Sequence, residues 1–465
     1  MNLFRKGALS LCALLSLSFA MPAQQASAEG FSTYLEGGAR AMSLAGGIVA
    51  RGGDPSVISY NPAAMTRLEG TQIQGNLAVT QMYWGVDWTD PTTEKSGNSH
   101  SSHQTWPIPS WYLSHQWNDK VWLGIGQFTR FGLGVKYPQN WPGGFNLQSV
   151  QLITSSLNPN IAYKLNDVFS IAVGAEILYA DMQMRKNMGV GVGGMGLAMG
   201  LTTSRDSLGD MNLNGHGFAF GGNIALHAQF NEKWSAGITY RAPMSLKVNG
   251  KARWDSARTA AGVASNLSGG APNIPLPALM NNTGLKNKVR GTIHLPDSFA
   301  FGVAYKPTKN LSIEAGATYT LWSRFADFNI YMKDPLNGWN NNAKHWRNNW
   351  AFNVSAEWWV KEWMALRLGF VFDKSPNNYG NADYMMPSNG RKYYTCGVGF
   401  KWDKWTLDLA YMYAHNHEQN YTESYMGHTA SVPGVGTVPG ANGVVPGRTT
   451  HPHAHNFGIG IGYKF

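Results

Sequence analysis

The sequence predicts an all-β fold, a transmembrane antiparallel β-barrel of about 14 strands. Three observations carry this. The last ten residues alternate: Phe457, Ile459, Ile461, Tyr463 and Phe465 share one face, while Asn456, Gly458, Gly460, Gly462 and Lys464 share the other. A period of two denotes an extended strand, here with one apolar and one small or polar face. The pattern recurs at about ten residues, the length with which a tilted strand crosses a bilayer. No segment beyond residue 28 offers the long apolar run of a membrane helix, and in hydrocarbon only a closed sheet satisfies every strand's backbone. A mean hydropathy of −0.27 fits, because only alternate residues of such a barrel meet lipid. A secreted β-sandwich or propeller is the competing architecture, and strands this long argue against it.

In chain order, residues 1–28 read as a cleaved secretory leader. Arg5 and Lys6 form its basic start, Ala8 to Ala20 its apolar stretch, and Ala26-Ser27-Ala28 its cleavage site. Cys12 lies inside it, but Leu11 stands where a lipoprotein anchor needs a small residue. Residues 29–70 have no period of two; Gly30, Gly37, Gly38, Gly46, Gly47, Gly52 and Gly53 crowd them. They precede the first strand, near Gln72 to Tyr83, and so begin at the periplasmic mouth. A lumen of 14 strands needs either water or a plug. The segment is therefore read as an amino-terminal hatch plugging the lumen, with a disordered tail as the alternative.

Residues 71–465 supply the barrel. Short polar turns at Asn118-Asp119-Lys120, Asn166-Asp167, Asn231-Glu232-Lys233, Pro307 to Asn310, Lys361-Glu362 and Asp403-Lys404 alternate with seven long stretches, near 85–106, 131–148, 187–213, 249–290, 332–346, 374–391 and 416–454. Six turns and seven loops join 14 strands, leaving both chain ends on the periplasmic side. Glu357, Arg367, Lys401 and Asp408 fall on the polar, lumen-facing phase, and Cys396 on the lipid-facing one. In the third strand Val121, Leu123 and Ile125 set one phase and Phe128 falls in the other. A bulge or kink at Gly126, Gln127 and Phe128 would produce that slip; loss of regular phase at the strand's outer end would too.

The formal charge is +10, of which Arg5 and Lys6 leave with the leader. No Lys/Arg run marks a nucleic-acid site, and a basic exterior suits outer-membrane lipid and lipopolysaccharide.

At this point the residues resemble a family. Gly37 to Leu68 with Asn61-Pro62-Ala63, Phe131-Gly132-Leu133 before Tyr137, Leu295-Pro296-Asp297-Ser298-Phe299, Tyr319-Thr320-Leu321-Trp322-Ser323, and Arg367-Leu368-Gly369 with Asp373-Lys374-Ser375-Pro376, Pro387 and Arg391 are similar to the FadL-type outer-membrane transporters of long-chain fatty acids and other hydrophobic compounds. The resemblance implies a monomer in the outer membrane of a Gram-negative cell. It also implies a hatch gated through Asn61, Pro62 and Ala63, and a side opening where the third strand kinks inward beside them. Terminal Tyr463-Lys464-Phe465 is similar to the signal read by the barrel-assembly machinery. Some fatty-acid members carry a basic residue where Asn329 stands, which leaves apolar hydrocarbons open as cargo.

Met188, Val190, Val192, Met195, Leu197, Met199 and Leu201, spaced by glycines, make the third loop greasy where an outward loop is ordinarily polar. The fourth adds Val263, Leu267, Ile274, Leu276, Leu279 and Met280. Exposed apolar surface marks binding sites, and Met adapts to varied shapes. Capture of a hydrophobic small molecule is the expectation; mutual packing of the loops is the alternative. Arg185, at the outer end of the fifth strand, is the expected carboxylate partner. Gly189-Val190-Gly191-Val192-Gly193-Gly194 satisfies a dinucleotide pattern without a βαβ unit, and nothing resembles a nucleophile elbow. No enzymatic activity and no cofactor are expected. The rim histidines His415, His417, His451, His453 and His455 are read as facing lipid phosphate, without a metal. The expected function is passive uptake by loop capture, hatch rearrangement and lateral exit. A general porin or a non-transporting adhesin barrel is the alternative.

Overall fold

The computed structural model describes residues 31–32, 35–89, 95–101, 104–138, 141–189, 207–255, 288–332, 338–377, 381–421, 428–432, 436–439 and 445–465. Fourteen wall strands run through it: β1 (Thr71–Thr89), β2 (Gln104–Gln116), β3 (Val121–Phe128 and Gly132–Lys136), β4 (Ser149–Lys164), β5 (Phe169–Gly189), β6 (Ser207–Gln229), β7 (Trp234–Arg241 and Met244–Asp255), β8 (Lys288–Leu295 and Ser298–Thr308), β9 (Leu311–Thr320), β10 (Asn349–Lys361), β11 (Met364–Asp373), β12 (Arg391–Trp402), β13 (Trp405–Asn416) and β14 (Gly447–Lys464). Each pairs antiparallel with its sequence neighbours, and β14 pairs with β1 from Gln72↔Lys464 to Trp88↔Gly447. The β14–β1 pairing closes the sheet on itself, which pairs strand backbone as hydrocarbon requires.

Alternation sets inside and outside. On β14 Phe457, Ile459 and Ile461 are 49%, 42% and 49% exposed while Asn456 is buried, so the aromatic face meets lipid. Three hairpins share one turn device. The Oδ1 atoms of Asn118, Asn166 and Asn231 each accept from the two backbone N–H groups that open the next strand, at 2.8–3.0 Å.

On the outer side the strands outrun expectation. β5 and β6 stay paired to Met188↔Gly209, inside a stretch read as loop, and the end of β1 pairs with Ser96–His100. Outside the bilayer neither face meets lipid, so alternation fades while backbone pairing continues. The leader (1–28) and most of the greasy loop residues (Val190, Val192, Met195, Leu197, Met199, Leu201, Leu276 and Leu279) lie outside the described residues, and Met188 is described only as a paired backbone position.

The amino-terminal segment lies within the barrel. It carries a 3₁₀ turn (Leu35–Gly37), α1 (Ala39–Ser43), α2 (Val57–Tyr60) and a 3₁₀ helix (Pro62–Arg67). α1 packs on β11 to β14 and β1, and the Pro62–Arg67 helix on β3 to β6. Small inward residues admit it. A Cβ on Gly237 would collide with Val49 O and Asn61 Nδ2, and one on Gly460 would meet Ala39 Cβ at 3.3 Å. An ion pair bolts it to the wall, Arg40 Nε to Glu357 Oε1 at 2.9 Å; Arg40 Nη1 also meets Asp54 Oδ2 within the segment at 3.0 Å, and within the wall Arg367 bridges Glu357 (2.9 Å) and Asp408 (2.5 Å). Among the lumen-phase residues, Glu357 is thus a buried partner of this segment and Arg367 and Asp408 are buried behind it, whereas Lys401 is exposed at the turn side.

Candidate ligand path

The wall is incomplete between β2 and β3. Their pairing runs from Gln116↔Trp122 to Trp111↔Gln127 and ends there. Among the described residues, Gln104–Ser110 pair only with β1, and Gly132–Lys136 only with β4. Two prolines, Pro107 and Pro109, sit in that stretch of β2, and lacking N–H donors they suit an unpaired edge.

The expected kink residues lie just before the break. Gly126, Gln127 and Phe128 keep regular pairing with β4 through Phe128↔Ser156, so no bulge occurs there. Phe128 simply faces inward, stacked on Tyr112 at 6.2 Å, and Gln127 Nε2 donates to Ser155 Oγ at 3.1 Å. The correction is small in sequence: pairing resumes at Gly132↔Ile153, so Thr129, Arg130 and Phe131 hold the one extra residue.

That excursion turns into the lumen. Thr129 Oγ1 donates to Thr154 O at 3.0 Å, and Thr154 Oγ1 donates to Phe131 O. Arg130 reaches Ala242 O and Pro296 O at 3.3 and 3.2 Å, the carbonyls where β7 and β8 are themselves interrupted. The amino-terminal segment meets the break directly: Ser32 bridges Phe131, and Gly132 N donates to Phe31 O at 2.7 Å. The Phe31 ring sits among Trp322, Phe325, Trp346 and Phe131, with centroids 4.8–5.9 Å away. Beside them a cleft of about 700 Å³, including its open mouth, is lined by Tyr60, Phe128, Arg130, Phe131, Thr239 and Arg241.

Asn61 is fully buried. Its Nδ2 donates to Val49 O (2.8 Å) and Leu226 O (3.0 Å), and its Oδ1 accepts from Ala63 N (3.1 Å), capping the 3₁₀ helix that Pro62 opens. Asn61 is thus held on β6 and β7, while Ile58 and Met65 approach β3 at Gly126 and Gly124.

A second, apolar cleft, with a cavity volume of only about 30 Å³, lies between Met182, Leu213, Val248, Val289, Ile293 and Phe328. Arg185 does not face it. It shares the phase of Ile177 and Tyr179, which are outward. The inward basic residue is its neighbour Lys186, buried two positions beyond Met184 and paired across to Met211. Counting the strand's alternation onward would have selected it. Asn329 lies nearby, its carbonyl close to Gly291 in the cleft wall, whereas the basic residue directly after Trp322-Ser323 is Arg324, paired with Asp297 at 2.6 Å. Among the described residues no cluster of His, Cys, Asp or Glu could hold a metal.

The family model described as Outer membrane protein transport protein (OMPP1/FadL/TodX) matches residues 19–465. The chain belongs to this OMPP1/FadL/TodX family. Its relatives include outer membrane protein P1 of Haemophilus influenzae, 23% identical over 442 residues, covering 88% of this chain and 89% of that one. The long-chain fatty acid transport protein of Escherichia coli K12 is 22% identical over 431 residues, covering 88% and 93%. Among solved structures, a FadL homologue of Pseudomonas aeruginosa superposes with a TM-score of 0.73 at 21% identity, covering 94% of this chain and all of that one. The toluene transporter TodX of P. putida gives 0.66 at 15% identity, covering 93% and 99%. As an OMPP1/FadL/TodX member, the chain is an outer-membrane β-barrel transport protein of the FadL/TodX type. The likeness to the solved structures speaks for the fold alone.

Proposed function

We propose that this barrel takes up hydrophobic small molecules passively and delivers them sideways into the bilayer through the gap between β2 and β3. The observation that carries the reading is the unpaired wall beyond Trp111 and Gln127, combined with a lumen filled by the amino-terminal segment. A molecule that cannot pass straight down can still leave through the side. The greasy third and fourth loops capture the ligand and pass it to the apolar cleft between Met182, Leu213 and Phe328. At about 25 cal/mol per Å², removing roughly 300 Å² of acyl chain from water is worth on the order of 7 kcal/mol before ordering costs. Release then follows displacement of Phe31 and Ser32 from the β3 break. The Arg40–Glu357 bolt holds the rest of the segment, so the segment acts as a hatch whose amino-terminal end moves.

The relatives' printed names support this class of cargo, one a fatty acid transport protein and one a toluene transporter. The test is uptake of labelled oleate and toluene by cells with and without the protein. Replacing Met195 and Leu197 by Asp is expected to abolish capture, and capture that survives both changes would remove the loops from the scheme.

A further inference from the structure

The cleft at the β3 break holds more positive than negative charge. Arg130 reaches it from the break and Arg241 from β7, both buried. Among the described residues, the one carboxylate that either touches is Glu176, whose side chain is fully buried. A single oxygen serves both: Glu176 Oε2 accepts from Arg130 Nη1 at 3.2 Å and from Arg241 Nη1 at 3.4 Å. Its other oxygen accepts the Ser156 hydroxyl at 2.8 Å. The neighbouring carboxylate, Asp297, is engaged by Arg324 at 2.6 Å and by the Tyr240 hydroxyl at 3.3 Å.

Two guanidiniums therefore share one long, single-pronged contact, although the guanidinium fork is built for two-pronged binding of a carboxylate. Their remaining partners are neutral: Ala242 O and Pro296 O for Arg130, Ile58 O and Asn158 Oδ1 for Arg241. Phe128 and Phe131 stack beneath them, with Arg241 and Arg130 5.3 and 5.0 Å above the ring centres. Holding an uncompensated cation in such a place is costly unless an anion visits it.

We propose that Arg130 and Arg241 form a carboxylate-reading site at the wall opening, so that this barrel favours greasy molecules ending in a carboxylate over neutral hydrocarbons. The inference rests on the reading that hydrophobic ligands leave through the β2–β3 gap. A ligand whose tail enters the gap leaves its head group in the cleft, where a carboxylate can complete the charge balance that Glu176 alone does not. Arg130 belongs to the break itself, so head-group recognition and the opening share one element.

The experiment compares the binding of oleate, oleyl alcohol and hexadecane to the purified full-length barrel in detergent, at a pH where oleate is ionised. Heat-modifiable electrophoretic mobility confirms that each variant is folded. The wild type is expected to bind oleate on the order of tenfold more tightly than oleyl alcohol. Arg130→Gln should bring that ratio close to one, and Arg130→Lys, which keeps the charge but not the fork, should retain only part of it. Glu176→Gln should raise it, because it removes the competing carboxylate while keeping shape. Equal binding of the acid and the alcohol by the wild type, or a ratio that Arg130→Gln leaves intact, would overturn the inference. So would a Glu176→Gln variant with a lowered ratio. If none of the three probes binds the wild type, the fault lies with the transport reading itself.

Discussion

Glu36 lies in the amino-terminal segment at 4% exposure. Burial, the largest influence, pushes its carboxyl up to about 7, against weaker downward pulls from backbone N–H groups and Arg391. A raised carboxyl favours the docked segment when protonated. Its contribution is therefore complete below the ordinary value of 4.5 and is lost as pH rises through 7, a swing of order 3 kcal/mol. Hydrogen-exchange protection of residues 35–43 should fall between pH 5 and 8 in the wild type and stay level in Glu36→Gln. A level wild-type profile would contradict this. Asn61→Ala removes three buried hydrogen bonds, and leaving buried carbonyls unmatched costs about 1–3 kcal/mol each. Uptake should slow while assembly stays intact; uptake at the wild-type rate would exclude Asn61 from gating. At this scale the sequence was partly legible. Asn61 stood out, but Arg185 was chosen without counting phase, and Arg130, Glu176 and Arg241 looked like ordinary wall residues. Their meeting depends on a lumen crossing that no spacing along the chain encodes.

The strands were legible because lipid imposes alternation on one face and small residues are needed on the other. All six polar turns form, three of them through an Asn side chain. The outer extensions of β1, β5 and β6 were not legible, since alternation needs a lipid–lumen contrast that ends at the membrane surface. The β3 break was readable only as a loss of phase, because periodicity reports register and not direction. The sign that was passed over lies in the neighbouring strand, where Pro107 and Pro109 cannot donate to a partner. Replacing both with Val should let β2 pair further with β3 and reduce oleate uptake severalfold at equal surface levels. Unchanged uptake would show that the prolines do not keep the gap open.

At the scale of the whole molecule, a closed sheet with a filled lumen leaves little room for ions. Planar-bilayer recordings should show far less salt conductance than a general porin. Glu357→Gln, which strips a shared carboxylate from Arg40 and Arg367, should unseat the segment at a cost of about 3–5 kcal/mol and raise that conductance. A conductance that stays at the wild-type level would mean other contacts hold the plug. The buried Arg40–Glu357 pair joins residues 317 positions apart, so closure of the sheet was foreseeable from the strands while that pair was not.

The most direct test is deletion of Thr129, which removes the extra residue of β3 and lets its two halves pair continuously with β4. Uptake of labelled oleate and toluene is measured in cells carrying equal amounts of folded barrel. A drop of at least about tenfold is expected for the shortened strand, matching the loss of a required conformer. Uptake indistinguishable from wild type would mean that cargo does not leave through the side.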